Sequence, residues 1–170
     1  MHKRIIISLI VLLTVLMQAC TISYSFTGAS IDPRVSTITI HDFNNQASYV
    51  YPPLAALLTE KAQDIYTRQT KLELTRSGGD LDLEGEITDW RTEELAVGEQ
   101  ALATETKLNI TVRVRYTNKI DPEKDFERSF TAYQQFQSNQ HRLEEVQDQL
   151  CDEILDEIVD QIYNATVADW

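Results

Sequence analysis

Two hydrophobic periods alternate along the chain from residue 35 onward, and their order predicts a fold. Val35-Ser36-Thr37-Ile38-Thr39-Ile40-His41 is dense in β-branched residues and predicts a first strand. Asn44 to Tyr51 reads as loop. Pro52-Pro53 suits a helix start, because proline is tolerated in the first turn. Leu54, Leu57, Leu58, Ala62 and Ile65, with the stem of Lys61, then recur at helical spacing and form one face ending near Arg68. Lys71–Leu74 predicts a short strand, followed by a turn at Ser77-Gly78-Gly79. Strict alternation begins at Leu81: Leu81, Leu83 and Ile87 alternate with Asp82, Glu84, Glu86 and Thr88, to about Trp90. Leu108, Ile110, Val112, Val114 and Tyr116 alternate in the same way with Lys107, Asn109, Thr111, Arg113 and Arg115. Folding back about Gly98-Glu99 would set Leu83 against Val114 and Ile87 against Ile110. The same register would put Asp82 opposite Arg115 and Glu84 opposite Arg113, although the pattern allows other registers.

Asn118 to Asp125 contains Asp121-Pro122 and predicts a turn. A further strand starts at Phe126, with Phe130, Ala132 and Phe136 on one parity. Ser138-Asn139 predicts the cap of a last helix. Its stripe is Leu143, Val146, Leu150, Ile154, Ile158 and Ile162, widened by Cys151, Leu155 and Val159. Strands contiguous in sequence favour antiparallel pairing, and each helix has a single apolar stripe to bury. The expected architecture is α+β: a two-layer sandwich of two helices on one face of a mostly antiparallel sheet of about four strands, in the order β-α-β-β-β-α.

The first residues obey a different pattern. Met1-His2-Lys3-Arg4 precede an apolar run from Ile5 to Met17, interrupted by Ser8 and Thr14, and Ala19 precedes Cys20. A basic start, a short apolar core and a small residue make an export signal, and the run is shorter than the roughly 20 residues of a spanning helix. With cysteine next, residues 1–19 look like a bacterial lipoprotein signal peptide whose lipidated residue is Cys20. Each buried methylene contributes about 0.8 kcal/mol, and one acyl chain holds only reversibly. Such lipoproteins carry two or three chains, palmitate among them, so the mature chain is expected to stay on its membrane. Thr21 follows the cysteine, with no aspartate to suggest inner-membrane retention and no acidic run to suggest export to the cell surface. The expected location is the periplasmic face of an outer membrane. Residues 20–34 then read as a lipidated tether, and 35–170 as one domain.

Charge and chemistry narrow the function. The chain of 170 residues has a formal net charge of −12, which becomes −14 once Lys3 and Arg4 are removed. Such a body repels nucleic acid. Cys151 has no disulfide partner in the mature chain and reads as a small buried residue. His41 and His141 have no metal-ligand spacing, and no nucleophile elbow, phosphate loop or dinucleotide fingerprint occurs. Glu84 and Glu86 share a strand face opposite basic residues, which describes a solvated charge ladder better than a glycosidase pair. The acidic back of the last helix, Glu144 to Asp160, reads as a solubilising face, with a docking or ion-bridging surface as the sharper alternative. Tyr49, Tyr51 and Trp170 are open to packing or partner-facing roles. No metal, cofactor or catalytic constellation is expected.

Several stretches together resemble the LptE-type lipoproteins of Bacteroidetes-like bacteria. These are Ser23-Tyr24-Ser25-Phe26-Thr27-Gly28, Gly78-Gly79-Asp80-Leu81-Asp82-Leu83-Glu84-Gly85-Glu86-Ile87, Tyr116-Thr117-Asn118-Lys119, Asp125-Phe126-Glu127-Arg128-Ser129-Phe130 and Val167-Ala168-Asp169-Trp170. The resemblance implies a non-enzymatic lipoprotein, anchored to the outer membrane, that sits inside the LptD β-barrel as a plug. It also implies help in folding that barrel and in delivering lipopolysaccharide. Relatives are thought to contact the lipid through basic residues of the sheet, which makes Lys107, Arg113 and Arg115 the candidate lipid- or partner-contacting residues here. The strong acidity departs from that pattern and favours plugging over direct lipid binding. A second reading of the same small fold is a lipoprotein module that activates a cell-wall synthase or another envelope complex.

Overall fold

A computed structural model of the chain describes residues 31–49, 51–95 and 105–168. The export segment, Cys20, the stretch Ser23–Gly28, the turn at Gly98-Glu99 and Trp170 lie outside the described residues. Strands β1 (Thr37–Ile40) and β2 (Asn44–Asn45) are followed by helix α1 (Leu54–Gln69) and strand β3 (Glu73–Thr75). Then come β4 (Leu81–Glu94), β5 (Glu105–Asn118), β6 (Phe126–Gln137) and helix α2 (Leu143–Tyr163). The fold is α+β, with two helices packed on a mixed sheet. That sheet has six strands rather than four, in the order β3-β1-β4-β5-β6, with β2 beside β4. Beyond those four are the short β3 and, outside every expected strand, β2. Its two asparagines carry no alternation, and they pair with Glu86 and Ile87 because the chain leaving β1 keeps following the same edge of β4.

Two modes of pairing meet at β4. β1 is parallel to β3 and to β4, so β1-α1-β3 is a parallel crossover unit. β4, β5 and β6 form an antiparallel meander. The register differs by two residues from the expected one: Leu83 faces Tyr116, Ile87 faces Val112, Glu84 faces Arg115 and Glu86 faces Arg113. Asp82 faces Thr117 instead of Arg115. A shift of two preserves which side chains are wet and which are dry, so the hydrophobic pattern alone could not detect it. At Thr88 a bulge breaks the ladder between Ile87 and Asp89 and moves the pairing of the second limb by one further residue. Before the bulge, odd-numbered Leu81, Leu83 and Ile87 are buried; after it, even-numbered Trp90 is. The bulge lets both limbs present apolar groups to one core.

That core lies between the sheet and the helices. Ile38, Leu81, Leu83, Ile87, Leu108 and Ile110 from the sheet meet Leu54, Leu58, Ile154, Leu155 and Ile158 from the helices, all fully buried. Cys151 is buried among them, and burial pushes its thiol up to about 12, with Asp148 adding to the shift. Lys61 lies on the expected face of α1, but its ammonium reaches across to α2, 2.7 Å from Asp152 and 2.6 Å from Asp156. Helix α2 begins at Leu143, not at Ser138-Asn139. Residues 138–140 form a turn in which the N–H groups of Gln140 and His141 donate to the Gln137 carbonyl. Glu145 then accepts the Arg142 N–H at 3.3 Å, and Glu144 and Glu145 place negative charge in the first turn, where the helix dipole favours it.

Two carboxylates and a pair of glycines fix the connections. A single oxygen of Asp80 accepts the backbone N–H of Ser36 at 2.9 Å and of Thr37 at 3.0 Å, and also both of their hydroxyls. The Asp80 and Gly79 N–H groups donate back to the hydroxyls of Thr37 and Thr39. Gly78 has φ of 79°, and a Cβ on Gly79 would lie 2.7 Å from the Thr39 nitrogen, so the Gly-Gly pair lets this clasp close. At the same end of the sheet, where β5 finishes beside the start of β4, Asp125 accepts the Asn118 N–H at 2.7 Å, while the Asn118 side chain accepts from Ile120 and Asp121. In mid-sheet, Gly85 leaves space that the Phe43 ring fills; a Cβ there would lie 2.6 Å from the Arg113 carbonyl and 2.7 Å from the ring.

Gly85→Ala is therefore expected to destabilise the fold by about 1–3 kcal/mol through overpacking, read as a lower urea midpoint at unchanged slope. Asp80→Ala is expected to cost about 2 kcal/mol, since it removes charge-assisted hydrogen bonds. The Ser36 and Thr37 donors hold the Asp80 carboxyl below its ordinary 3.8. Its contribution is thus complete above that value and disappears as pH falls through the lower folded value. Acid titration of stability should show a shallower loss below pH 3.8 in Asp80→Asn than in the native chain; identical slopes would remove Asp80 from the account.

Candidate functional site

The outer face of the sheet, opposite the helices, carries the charged positions of the alternating strands. Glu84 and Glu86 on β4, Arg113 and Arg115 on β5 and Glu127 on β6 all point to this side, and His41, Asp42 and Asn44 close its rim. Together they line an open trough of about 600 Å³. Cross-strand pairing sets Glu84, Arg115 and Glu127 in one row across three strands. Arg115 donates to Glu84 at 2.9 Å and to Glu127 at 3.3 Å. Arg113 donates to Glu86 and lies 3.9 Å from Glu127. The Glu86 carboxylate beside it raises the Arg113 guanidinium above its ordinary value.

Of the three candidate contact residues, Arg113 and Arg115 are brought together and Lys107 is left apart. Lys107 lies six residues up β5, about 20 Å away at strand rise, with its ammonium 3.8 Å from the centre of the Tyr133 ring. The two arginines share the trough with four carboxylates, those of Asp42, Glu84, Glu86 and Glu127. The trough is therefore acidic in balance, and an incoming anion would have to displace carboxylates already held. Glu127 belongs to this cluster and went unnoticed in the sequence because β6 alternates weakly. His41 also belongs at the rim, where its Nε2 hydrogen-bonds with Asp82 at 3.0 Å.

The other expected features resolve into structural roles or divide. Tyr51 packs against Trp90 at 5.9 Å and donates its hydroxyl to Asp148 at 2.5 Å, which together with burial pushes its phenol up to about 12. Tyr49 stacks on Trp90 at 5.1 Å and stays 42% exposed. The acidic back of α2 separates into two rows. Asp148, Asp152 and Asp156 face α1 and are engaged by Tyr51 and Lys61. Glu153, Glu157 and Asp160 face β6 instead. Among the described residues no group of three His, Cys, Asp or Glu side chains is arranged to hold a metal ion.

Comparison with known proteins agrees with this architecture. The model of the LptE lipopolysaccharide-assembly family matches residues 35–166, the whole described sandwich, and the chain belongs to that family. LptE proteins are non-catalytic envelope lipoproteins. A comparison with curated proteins found no match. Among solved structures, a hypothetical protein of Chlamydia trachomatis is similar at 13% identity and a TM-score of 0.52, over 78% of this chain and 98% of that one. A protein of Xanthomonas campestris is similar at 10% identity and a TM-score of 0.53, over 79% and 88%. At such identities the likeness is one of fold.

The ladder of ion pairs is exposed, and exposed pairs contribute little because water and side-chain entropy offset the attraction. Arg113→Gln and Arg115→Gln are each expected to change stability by less than about 1 kcal/mol in urea titrations. A larger loss would make the ladder a structural element instead of an available surface.

Proposed function

We propose that this LptE-family chain is an outer-membrane lipoprotein that plugs and supports an LptD-like β-barrel during lipopolysaccharide transport and assembly. Acyl chains on Cys20 would hold it at the periplasmic face, with residues 20–34 as the tether and the sandwich as the part that fills the barrel lumen. The observation that carries this reading is the family match across the entire folded domain, residues 35–166. The geometry favours scaffolding over chemistry. The stretches that resemble the family, around Gly79-Asp80, Asn118 and Asp125, are occupied in closing turns and joining strands. They hold a shape and leave no nucleophile or acid–base pair poised over a cleft.

The mechanism that follows is mechanical and electrostatic. A plug must keep its form while a barrel closes around it, and the clasped sheet and packed helices supply that rigidity. The arginines of the trough are pre-paired with glutamates, so lipid contact through Arg113 and Arg115 would have to open those pairs, while Lys107 would make contact from outside the trough. Direct lipopolysaccharide binding in the trough requires exchange of protein carboxylates for lipid phosphates, a nearly balanced exchange in water.

Affinity capture of the tagged chain from detergent extracts is expected to recover a large β-barrel of the LptD class, and its repeated absence would sink the proposal. Recovery of a cell-wall synthase in its place would transfer the chain to the second class of envelope module. Cys20→Ala is expected to move the protein from the outer-membrane pellet to the soluble fraction. If that variant still sediments fully with outer membranes, the anchor is elsewhere.

A further inference from the structure

Strand β6 ends the sheet on one side, and among the described residues no strand lies beyond it. An edge strand offers backbone N–H and C=O groups to any extended chain that reaches it, and proteins usually blunt such edges. The opposite edge is blunted by brevity, since β3 has three residues. β6 has twelve, and its pairing with β5 runs without a register break. From Ser129 to Gln137 it reads Ser-Phe-Thr-Ala-Tyr-Gln-Gln-Phe-Gln, without a charge, a proline or a glycine. Phe130 and Phe136 pack against the core from its helix side and remain partly exposed.

Beside this edge lies a groove of about 460 Å³ between β6 and α2. Thr131, Ala132 and Gln134 form its strand wall, and Glu153, Glu157 and Asp160 its helix wall. Glu153 accepts from Gln149 at 2.9 Å and Glu157 from Gln161 at 3.1 Å, both neutral donors. None of the three carboxylates pairs with a cation among the described residues. The charge differs from that of the trough on the other face, where every arginine is already matched.

We propose that β6 is a docking edge for an extended segment of another protein, which adds to the sheet as a further strand and places Lys or Arg at alternate positions toward α2. Backbone hydrogen bonds along β6 supply affinity, and alternate side chains supply selectivity. Charge selects this occupant over a second copy of the chain. Pairing two β6 edges would bring two α2 walls together, each carrying the same uncompensated carboxylates, and like-charge juxtaposition is costly. The inference stands apart from the LptD proposal, because loss of barrel capture would leave the edge and its groove unchanged.

The test uses the full chain purified in detergent and a nine-residue peptide alternating Lys with Val and Thr. Hydrogen–deuterium exchange is expected to slow at Ser129–Gln137 when this peptide binds. The peptide with Glu in place of Lys, and one with a central proline, are expected to give no such protection. Glu153→Lys with Glu157→Lys should weaken the Lys peptide by at least about tenfold and admit the Glu peptide; Asp160→Lys alone serves if the double variant fails to fold. Unchanged exchange at β6 with millimolar peptide, or equal protection by the proline peptide, overturns the proposal. A dimer with β6 protected in the absence of peptide gives the edge to a second copy and overturns it as well.

Discussion

The carboxylate of Asp80 joins two substructures that have little else in common. On one side is the parallel unit β1-α1-β3, and on the other the antiparallel meander β4-β5-β6. Parallel strands need a long crossover and cannot be set by a tight turn. Their register at β1 and β4 must therefore be pinned by something local, and Asp80 does this by taking the first donors of β1 onto the residue that precedes β4. Once Ile38 is set beside Leu81 and Ile40 beside Leu83, the sheet offers one continuous dry face. Both helices depend on that face, since neither has a second surface to bury.

Much of this was legible in the sequence because burial writes itself as period. Leu81, Leu83 and Ile87, then Leu108 to Tyr116, announced two strands with the correct dry faces, and the stripe from Leu150 to Ile162 announced α2. Burial of Cys151 also followed from its place beside that stripe. Three things escaped. β2 escaped because two asparagines have no period. The register escaped because a shift of two residues leaves every face unchanged. The cap of α2 was misplaced because Ser138-Asn139 has good capping chemistry, while the chain spends those residues on a turn and begins the helix at Leu143.

The candidate site was legible only in part, for an electrostatic reason. Sequence can identify Arg113 and Arg115 as outward neighbours, but their availability depends on which carboxylates lie across the strands. Glu86 and Glu127 decide that, and Glu127 comes from a strand whose weak alternation hides its parity. Lys107 shares their face yet not their neighbourhood, because one face of a fourteen-residue strand is long. The acidic helix shows the same dependence. A run that looks uniform in sequence divides into a row engaged by Lys61 and Tyr51 and a row left beside β6, and only the packing of α1 draws that line.

The bulge at Thr88 makes β4 two differently phased segments on one backbone. Its first limb is read in odd numbers and its second in even, so strand length between Gly85 and Trp90 is not free to drift. A one-residue insertion or deletion there would turn one limb over and exchange its wet and dry faces. A change of length is therefore harmless to the sheet only where no ladder keeps count, and the bulge acts as a fixed punctuation mark in β4.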